Sequence, residues 1–270
     1  MSLQRRLQTT FAQLKEKDET ALIAFVTAGD PTPEDTIEIV TALAESGVDA
    51  VEIGVPFSDP LADGPAIQAS SQRALDGGMT VFRTLETVRE IRKRNPDLPL
   101  ILMTYYNPIL HYGLARYAQD AKAAGADAHI VTDLTPEEAH EWKALSEQND
   151  LDTVFLLAPT STEVRMKIVS ELSSGFLYCV SRTGVTGANQ NVSDELAGVV
   201  SRIKAHSALP VCVGFGVSEP SHVATISHYA DGVIVGSALV NLIHQHKTDD
   251  NLLPLVRDFA LSLKAATKKG

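Results

Sequence analysis

One carboxylate, Glu52, lies inside an apolar run of the sequence, VEIGV, and two more, Asp59 and Asp63, lie in the proline-rich loop that follows it. Burial in such a run disfavours the charged form of Glu52 and is expected to raise its pKa. A carboxylic acid that keeps its proton near neutral pH can act as a general acid. The alternative is a structural carboxylate that pairs with a basic residue. The pattern favours acid catalysis by Glu52 over that structural role.

The loop that carries Asp63 is restricted by Pro60 and Pro65, and Gly64 supplies a turn. A loop held in this way can present the Asp63 carboxylate to a substrate. Asp before Gly is also a common turn pair, so an ordinary solvated turn is the alternative. Asp59 has the same alternative and less in favour of a function.

The polar residues at the ends of the other apolar runs argue against two common kinds of site. They include no lysine, which a Schiff-base enzyme needs at such a position. They also include no cluster of ligands suited to a catalytic metal, since His111 and His129 stand apart. The sequence therefore predicts a reaction without a Schiff base and without a bound metal.

Three glycine-rich segments, at residues 181–187, 214–220 and 236–242, follow the last three apolar runs. Glycines let backbone N–H groups close around an anion, and a helix that starts at Ser237 adds free N–H donors and the positive end of its dipole. Turn glycines without a ligand are the alternative. Loops after the last strands are a frequent phosphate site in (β/α)8 barrels, so the position favours phosphate.

Eight short apolar runs, each followed by a turn and a segment of helical periodicity, organise the chain. They start 22 to 34 residues apart, the spacing of βα units, except for one interval of 50 residues. Such a chain forms either a closed (β/α)8 barrel or an open doubly wound sheet. The length of 270 residues favours the barrel, and the first turn, TAGDPTPED, lacks the G-x-G-x-x-G pattern of a dinucleotide-binding sheet. The runs are ALIAFVT from residue 21, DAVEIG from 49, PLILMTYY from 99, AHIVT from 128, DTVFLLA from 152, FLYCVS from 176, PVCVGFG from 210 and GVIVGS from 232.

We therefore expect a single TIM-barrel domain over residues 1–270, because no linker or low-complexity segment interrupts the series. An amphipathic N-terminal helix precedes the first strand. The long interval predicts an insertion after strand 2, followed by a regular helix at residues 80–94. Barrels carry their catalytic groups at the C-terminal ends of the strands, which is where this insertion and its carboxylates would lie.

The composition argues against several other classes of protein. With 23 basic and 34 acidic residues the net charge is −11, and no basic block suggests a nucleic-acid partner. No apolar run approaches the roughly 20 residues that cross a bilayer, and the N-terminus lacks the apolar core of a secretory signal. Cys179 and Cys212 lie in apolar runs, where buried reduced thiols fit better than a disulfide. The sequence predicts a cytoplasmic protein with neither a membrane nor a nucleic-acid partner.

The motif VEIGVPFSDPLADGPAIQ, together with SRTGVTG and GFGVS, resembles the tryptophan synthase alpha chain family, and the resemblance extends over essentially the whole chain. It implies a (β/α)8 barrel that cleaves indole-3-glycerol phosphate to indole and glyceraldehyde 3-phosphate, a retro-aldol step. It also implies catalytic roles for Glu52 and Asp63. The substrate-binding residues that it implies are Tyr178, Phe25, Met103, Tyr105 and Thr186, and the phosphate-binding residues are Gly187, Gly216, Gly236 and Ser237.

A retro-aldol cleavage without lysine or metal needs another electron sink, and the implied substrate provides one. An indole ring that is protonated at C3 becomes that sink itself. Our hypothesis is that Glu52 protonates C3 and takes up the glycerol hydroxyl proton. Asp63 then stabilises the positive charge that develops at the indole nitrogen.

The resemblance also implies a partner. Alpha chains of this family dock on a beta chain that carries pyridoxal phosphate and receives the indole, in an alpha2beta2 heterotetramer. The segments PFSDP and NPI match the contact region, and no cofactor is expected in this chain itself.

Other functions remain as alternatives. One is a stand-alone indole-3-glycerol phosphate lyase that releases free indole, and another is a non-catalytic subunit that only activates a beta chain. The presence of both Glu52 and Asp63 argues against the second. A different phosphate-binding barrel enzyme, such as an isomerase, would often use His or Lys groups that are missing from the strand ends.

Overall fold

The computed structural model describes residues 5–180, 190–214 and 216–269. Its parallel strands form one sheet in the order β5-β4-β3-β2-β1-β9-β8-β7-β6. Each strand coincides with one of the predicted apolar runs. The strands are β1 (Ala21–Thr27), β2 (Ala50–Gly54), β3 (Leu100–Thr104), β4 (Ala128–Val131), β5 (Asp152–Val154), β6 (Leu156–Leu157), β7 (Leu177–Val180), β8 (Val211–Gly214) and β9 (Gly232–Val235).

The sheet closes through β5 and β6, which are two halves of one predicted strand. β5 pairs with β4, and β6 pairs with β7. The chain runs from one half to the other through Phe155, whose carbonyl accepts a hydrogen bond from the Tyr178 N–H at 3.3 Å. The ring therefore has the eight positions of a (β/α)8 barrel, and the predicted fold is confirmed.

Helices surround the barrel, and their starts follow the sequence signals. The Thr32 hydroxyl accepts the Asp35 N–H, and Thr80 accepts the Arg83 N–H, as capping residues do. The helices are α1 (Arg6–Glu16), α2 (Pro33–Glu45), α3 (Pro65–Asp76), α4 (Val81–Arg94), α5 (Tyr106–Tyr112), α6 (Leu114–Ala124), α7 (His140–Gln148), α8 (Glu163–Leu172), α9 (Gln190–His206), α10 (Pro220–Ser227), α11 (Ser237–His246) and α12 (Leu252–Ala265). Within the described ranges, none of these helices combines the length and the apolar content needed to cross a membrane.

Two helices refine the sequence prediction. The insertion after β2 contains a helix of its own, α3, which Pro65 begins at its first position. A short helix, α5, follows β3 in a segment that the sequence indicated only as a polar strand end. After β4, Thr135 precedes a single 3-10 turn, Pro136–Glu138, before the α-helix starts at His140.

Alternate residues along the strands separate the core into two clusters. One cluster lies inside the barrel and includes Ile23, Ala50 and Ile101. The other lies between the strands and the outer helices and includes Leu22 and Val51. Side chains at even positions of β2 therefore point into the barrel, and those at odd positions point to the helices.

The N-terminal helix closes one end of the barrel. Its apolar face, formed by Leu7, Phe11 and Leu14, belongs to the inner cluster. The Phe11 ring lies 6.0 Å from the Phe176 ring, measured between centroids. Because α1 seals the N-terminal end of the strands, a substrate has access to the interior from the other end.

A recurring clamp joins neighbouring strands at this closed end. A residue before a strand donates its N–H to the carbonyl of the first or second residue of the previous strand in the ring. Its side chain accepts the N–H of that same residue. The four clamps are Asp49 on Leu22, Asp127 on Leu100, Ser174 on Thr153 and Asp231 on Val211, with side-chain bonds of 2.7, 2.9, 2.9 and 2.9 Å. They hold every second pair of strands in register.

Candidate active site

Glu52 lies on β2 with its side chain inside the barrel. The flanking residues Val51 and Ile53 belong to the outer cluster, and Ala50 belongs to the inner one, so the alternation directs Glu52 inward. Only 1% of Glu52 is exposed to solvent. The apolar run that surrounds it in the sequence is the reason for this burial.

The buried Glu52 carboxyl is electrostatically uncompensated within the described residues. Its Oε1 atom has no hydrogen-bond partner there, and none of the described cations forms an ion pair with it. Burial raises the pKa of Glu52 to about 8. The structural alternative required a basic partner, and Arg182, the basic residue at the strand ends, lies outside the described residues.

Asp63 is half-buried in the loop before α3. Its N–H donates to the Pro60 carbonyl at 3.0 Å, and its own carbonyl accepts the Gln68 side-chain amide at 2.8 Å. Burial raises the pKa of Asp63 to about 6, and a hydrogen bond from the Tyr105 hydroxyl opposes part of that rise. By contrast, Asp59 is exposed and accepts the hydroxyl of Ser58 at 2.6 Å, as a turn residue does.

Tyr178, on β7, is near enough to both carboxylates to interact with them electrostatically. The residue is 8% exposed and belongs to the inner cluster. Burial, followed by the negative charges of Glu52 and Asp63, raises the pKa of Tyr178 well above its ordinary value. Both charges therefore act on this phenol, which places the catalytic candidates around one region of the barrel.

The position of the Tyr178 ring depends on a glycine that the sequence indicated only as part of a turn. A Cβ atom on Gly214 would lie 2.2 Å from the Tyr178 Oη atom. No real side chain fits at that distance. Gly214 therefore leaves the space that the ring occupies, and this pairing joins residues of two strands that only the folded register brings together.

Apolar side chains line the same end of the barrel. The Phe25 ring lies over Gly54, where a Cβ atom would be 2.6 Å from the Phe25 Cζ atom. Met103 is half-buried against the inner cluster. Tyr105, at the end of β3, is 5% exposed. The structure thus brings the residues predicted for an indole pocket to the open end, next to the carboxylates.

Ile67 is a pocket residue that the sequence reasoning missed. A Cβ atom on Gly236 would lie 3.6 Å from the Phe25 Cβ atom and 3.7 Å from the Ile67 Cδ1 atom. Helix α3 therefore carries an apolar side chain to the place where Phe25 and Gly236 meet. The available signal was an apolar residue in the first turn of a helix that starts at Pro65.

Three of the predicted phosphate residues, Gly216, Gly236 and Ser237, lie within the described part of the chain. Gly216 adopts a φ of 51°, a conformation that glycine tolerates and that side chains disfavour. Gly236 precedes α11, and Ser237 is its first residue, so the free N–H groups of that helix start there. Because β8 and β9 are neighbours, these two loops are adjacent. Thr186 and Gly187 lie outside the described residues.

Other titratable groups at the strand ends have structural partners. The Arg73 guanidinium donates two hydrogen bonds to Asp30, at 2.9 and 2.7 Å. Asp133 accepts the Tyr106 N–H at 2.7 Å and so caps α5. His129 faces the helices, with its ring 5.1 Å from the Trp142 ring. In the part of the chain that the structure describes, no group of His, Cys, Asp and Glu residues could hold a metal ion.

Comparisons with known proteins agree over almost the whole chain. The family model described as "Tryptophan synthase alpha chain" matches residues 11–267. The tryptophan synthase alpha chain of Geotalea uraniireducens (strain Rf4) is 48% identical over 263 residues, which cover 97% of this chain and 98% of the relative. The tryptophan synthase subunit alpha from Legionella pneumophila str. Paris superposes with a TM-score of 0.91 at 38% identity, covering 97% of this chain and 98% of that one. A chain of Mycobacterium tuberculosis tryptophan synthase superposes with a TM-score of 0.90 at 41% identity, covering 98% and 99%.

Proposed function

The chain belongs to the tryptophan synthase alpha chain family and cleaves indole-3-glycerol phosphate to indole and glyceraldehyde 3-phosphate, and we propose that Glu52 and Asp63 carry this reaction. The observation that supports these roles most strongly is the buried, unpaired Glu52 carboxyl at the open end of the barrel. With a pKa of about 8, Glu52 holds its proton at neutral pH. It is then the acid that the reaction requires.

The reaction begins with proton transfer from Glu52 to C3 of the indole ring. The ring nitrogen becomes positively charged, and the Glu52 carboxylate takes up the proton of the hydroxyl on the carbon attached to C3. The O–H electrons form the carbonyl of glyceraldehyde 3-phosphate, and the electrons of the broken carbon–carbon bond return to the ring. Indole leaves, and Glu52 ends the cycle protonated as it began.

Asp63 supplies the charge that the intermediate needs. With a pKa of about 6, its carboxyl is mostly ionised at neutral pH, while that of Glu52 is mostly neutral. A carboxylate next to the ring nitrogen stabilises positive charge as it develops there. The two environments divide the work, because deeper burial keeps one group protonated and the half-buried loop leaves the other charged.

The remaining predicted site residues hold the two ends of the substrate. Phe25, Met103 and Tyr178 provide the apolar and aromatic surface for the indole ring. Gly216, Gly236 and the N-terminus of α11 at Ser237 provide N–H groups for the phosphate. We propose the same phosphate role for Gly187 and a substrate contact for Thr186, on the resemblance alone.

We propose a beta chain as the partner, which carries the pyridoxal phosphate and completes an alpha2beta2 heterotetramer. The support in this chain is an apolar groove of about 450 Å³ between residues 56–58 and 107–112. Three large apolar side chains in this part of the chain are exposed: Leu61 at 93%, Phe82 at 53% and Leu110 at 52%. Exposed apolar patches of this kind mark interaction surfaces. We also propose that residues 1–270 form a single domain that works in the cytoplasm.

The test is indole release from indole-3-glycerol phosphate by the purified chain, alone and with a tryptophan synthase beta chain. We expect slow release that accelerates when the beta chain is added and that Glu52→Gln abolishes. Glu16→Gln, on the exposed face of α1, is the matched control and should keep the wild-type rate. Release by Glu52→Gln at the wild-type rate would contradict the catalytic assignment. A fast wild-type rate that ignores the beta chain would favour the stand-alone lyase instead.

A further inference from the structure

Tyr105 connects the loop of Asp63 to the body of the barrel. The residue lies directly after β3, with 5% of its surface exposed. The Ala62 N–H donates to its hydroxyl oxygen at 2.9 Å. The same hydroxyl acts on the neighbouring Asp63 carboxylate and lowers its pKa, against the effect of burial. Its ring lies 5.2 Å from the Phe57 ring, between centroids, so the loop contacts Tyr105 at both of its ends.

The rest of this loop is held mainly by its own backbone. The Leu61 N–H donates to Asp59 and the Asp63 N–H donates to Pro60, both within the loop. The Leu61 side chain is 93% exposed and adds no packing against the barrel. Within the described residues, the bonds to the Tyr105 hydroxyl are the ones that fix the tip of the loop to a strand. Loops with few buried contacts are mobile unless such a bond restrains them.

We propose that the Tyr105 hydroxyl is a positioning residue for the reaction, which fixes the Asp63 carboxylate over the barrel by holding the loop at Ala62 and Asp63. This inference rests on the proposed role of Asp63. A tyrosine that only lined the indole pocket would need its ring and not its hydroxyl. The inference gives the hydroxyl a role of its own.

The chemistry of the phenol fits this task. A hydroxyl has one proton to donate and two lone pairs to accept with, so it serves the Ala62 N–H and the Asp63 carboxylate together. Burial, followed by the charge of Asp63, raises the pKa of Tyr105 to about 12, and the phenol therefore stays a donor throughout the physiological range. Its hydrogen bond favours the ionised form of Asp63 and counteracts the effect of burial.

The neighbouring Tyr106 offers a matched control. It is a half-buried tyrosine at the start of α5. Burial, followed by the charges of Glu141 and Glu138, raises its pKa, so its hydroxyl faces other carboxylates than Asp63. Tyr106→Phe removes the same atom as Tyr105→Phe, one position away, without touching the loop.

The first measurement needs no turnover. In protein labelled with carboxyl-¹³C aspartate, the Asp63 signal is assigned by its loss in Asp63→Asn and is titrated by NMR. We expect a midpoint near pH 6 in the wild type and in Tyr106→Phe. In Tyr105→Phe the midpoint should be higher by roughly one pH unit, since a donor to the charged form is lost. Identical midpoints in the wild type and in Tyr105→Phe would overturn the proposal.

The second measurement is the pH profile of kcat for indole release. In Tyr105→Phe we expect the acid limb to move to higher pH and kcat at the plateau to fall roughly tenfold, because the carboxylate is less well placed. KM should stay within about twofold, since the phosphate and ring contacts remain. A higher KM with an unchanged acid limb would show that Tyr105 only lines the pocket. A wild type that releases no indole would contradict the proposed function, and the NMR titration would still test the hydrogen bond.

Discussion

The two ends of the barrel use buried carboxylates in opposite ways. At the closed end, Asp49, Asp127 and Asp231 each clamp a neighbouring strand and each pair with a cation, at distances of 2.7 to 2.9 Å. At the open end, Glu52 and Asp63 form no ion pair with any described residue, and burial raises the pKa of both. Burial also raises the pKa of Asp49, but its cation opposes that rise. A cation compensates each carboxylate of the first set, and no described cation compensates the second set.

The difference assigns a stabilising role to the paired carboxylates and a chemical role to the unpaired ones. A buried carboxylate without a partner costs free energy in its charged form, so it keeps its proton or destabilises the fold. Such a group remains where the reaction benefits from a displaced pKa. The paired carboxylates accept backbone N–H groups and fix the register of the strands. Within the described residues, these two carboxyl groups without a cation thus lie at the open end of the barrel.

The largest effect that would sharpen this comparison concerns Asp63. Asp63→Asn keeps the shape of the side chain and removes its charge, so we expect kcat for indole release to fall roughly 10² to 10³-fold. Binding of glyceraldehyde 3-phosphate, measured by calorimetry, should stay within about twofold because the phosphate loops are unchanged. Asp76→Asn, at the exposed end of α3, serves as the control. Loss of phosphate binding in Asp63→Asn would mean that the loop, not the charge, had been damaged.

The converse test removes the charge of a paired carboxylate at the closed end, Asp127. Asp127 binds Arg92 at 2.7 Å and Arg6 at 2.9 Å and is 7% exposed, so Asp127→Asn leaves two guanidinium groups without their anion. Because Arg6 is partly solvated, we expect a loss of about 2 to 3 kcal/mol in the free energy of unfolding, below the range for fully buried pairs. Urea unfolding measures it, with the exposed Asp258→Asn as a control that changes stability by less than about 0.5 kcal/mol.

The same variant should keep its catalytic activity. The Asp127→Asn protein that remains folded should cleave indole-3-glycerol phosphate with the wild-type kcat/KM, because the closed end lies away from the substrate. A variant that keeps its stability and loses its activity would reverse the roles that we assign to the two ends.

The dependence of stability on pH should show that Glu52 is buried without a cation. The folded state keeps the Glu52 proton up to about pH 8, and the unfolded state loses it near 4.5. Stability from this group is therefore complete below pH 4.5 and declines as the pH rises to 8, by about 1.4 kcal/mol for each unit. Glu52→Gln removes this decline. Relative to the wild type, the variant should gain stability between pH 5 and 8 in urea unfolding, whereas parallel curves would contradict the raised pKa.

Much of this arrangement could be predicted from the sequence, because it depends on local patterns. The apolar runs predicted every strand of the ring, and the apolar neighbours of Glu52 predicted its burial. The proline-rich insertion predicted where Asp63 would lie. Each of these signals is contained within a few consecutive residues.

The contacts that were not predicted join residues far apart in the chain. The Tyr178 ring needs the space over Gly214, and the Tyr105 hydroxyl meets Ala62. Ile67 reaches Gly236 only because α3 folds back over the barrel. Such contacts depend on strand register and helix packing, which no short stretch of sequence encodes.

The smallest expected effect concerns the fourth clamp, where Ser174 takes the place of an aspartate. Its hydroxyl accepts the Thr153 N–H at 2.9 Å, and no cation binds it within the described residues. Ser174→Ala should therefore cost about 1 kcal/mol in urea unfolding, the value of one neutral hydrogen bond. The site does not favour a carboxylate, because the Ser174 hydroxyl binds the N–H of the residue that follows the buried Asp152, which pairs with Arg5. Ser174→Asp would bring a second negative charge beside Asp152, so we expect it to destabilise the fold more than Ser174→Ala. A gain in stability from Ser174→Asp would show that a paired carboxylate improves the closed end at every clamp.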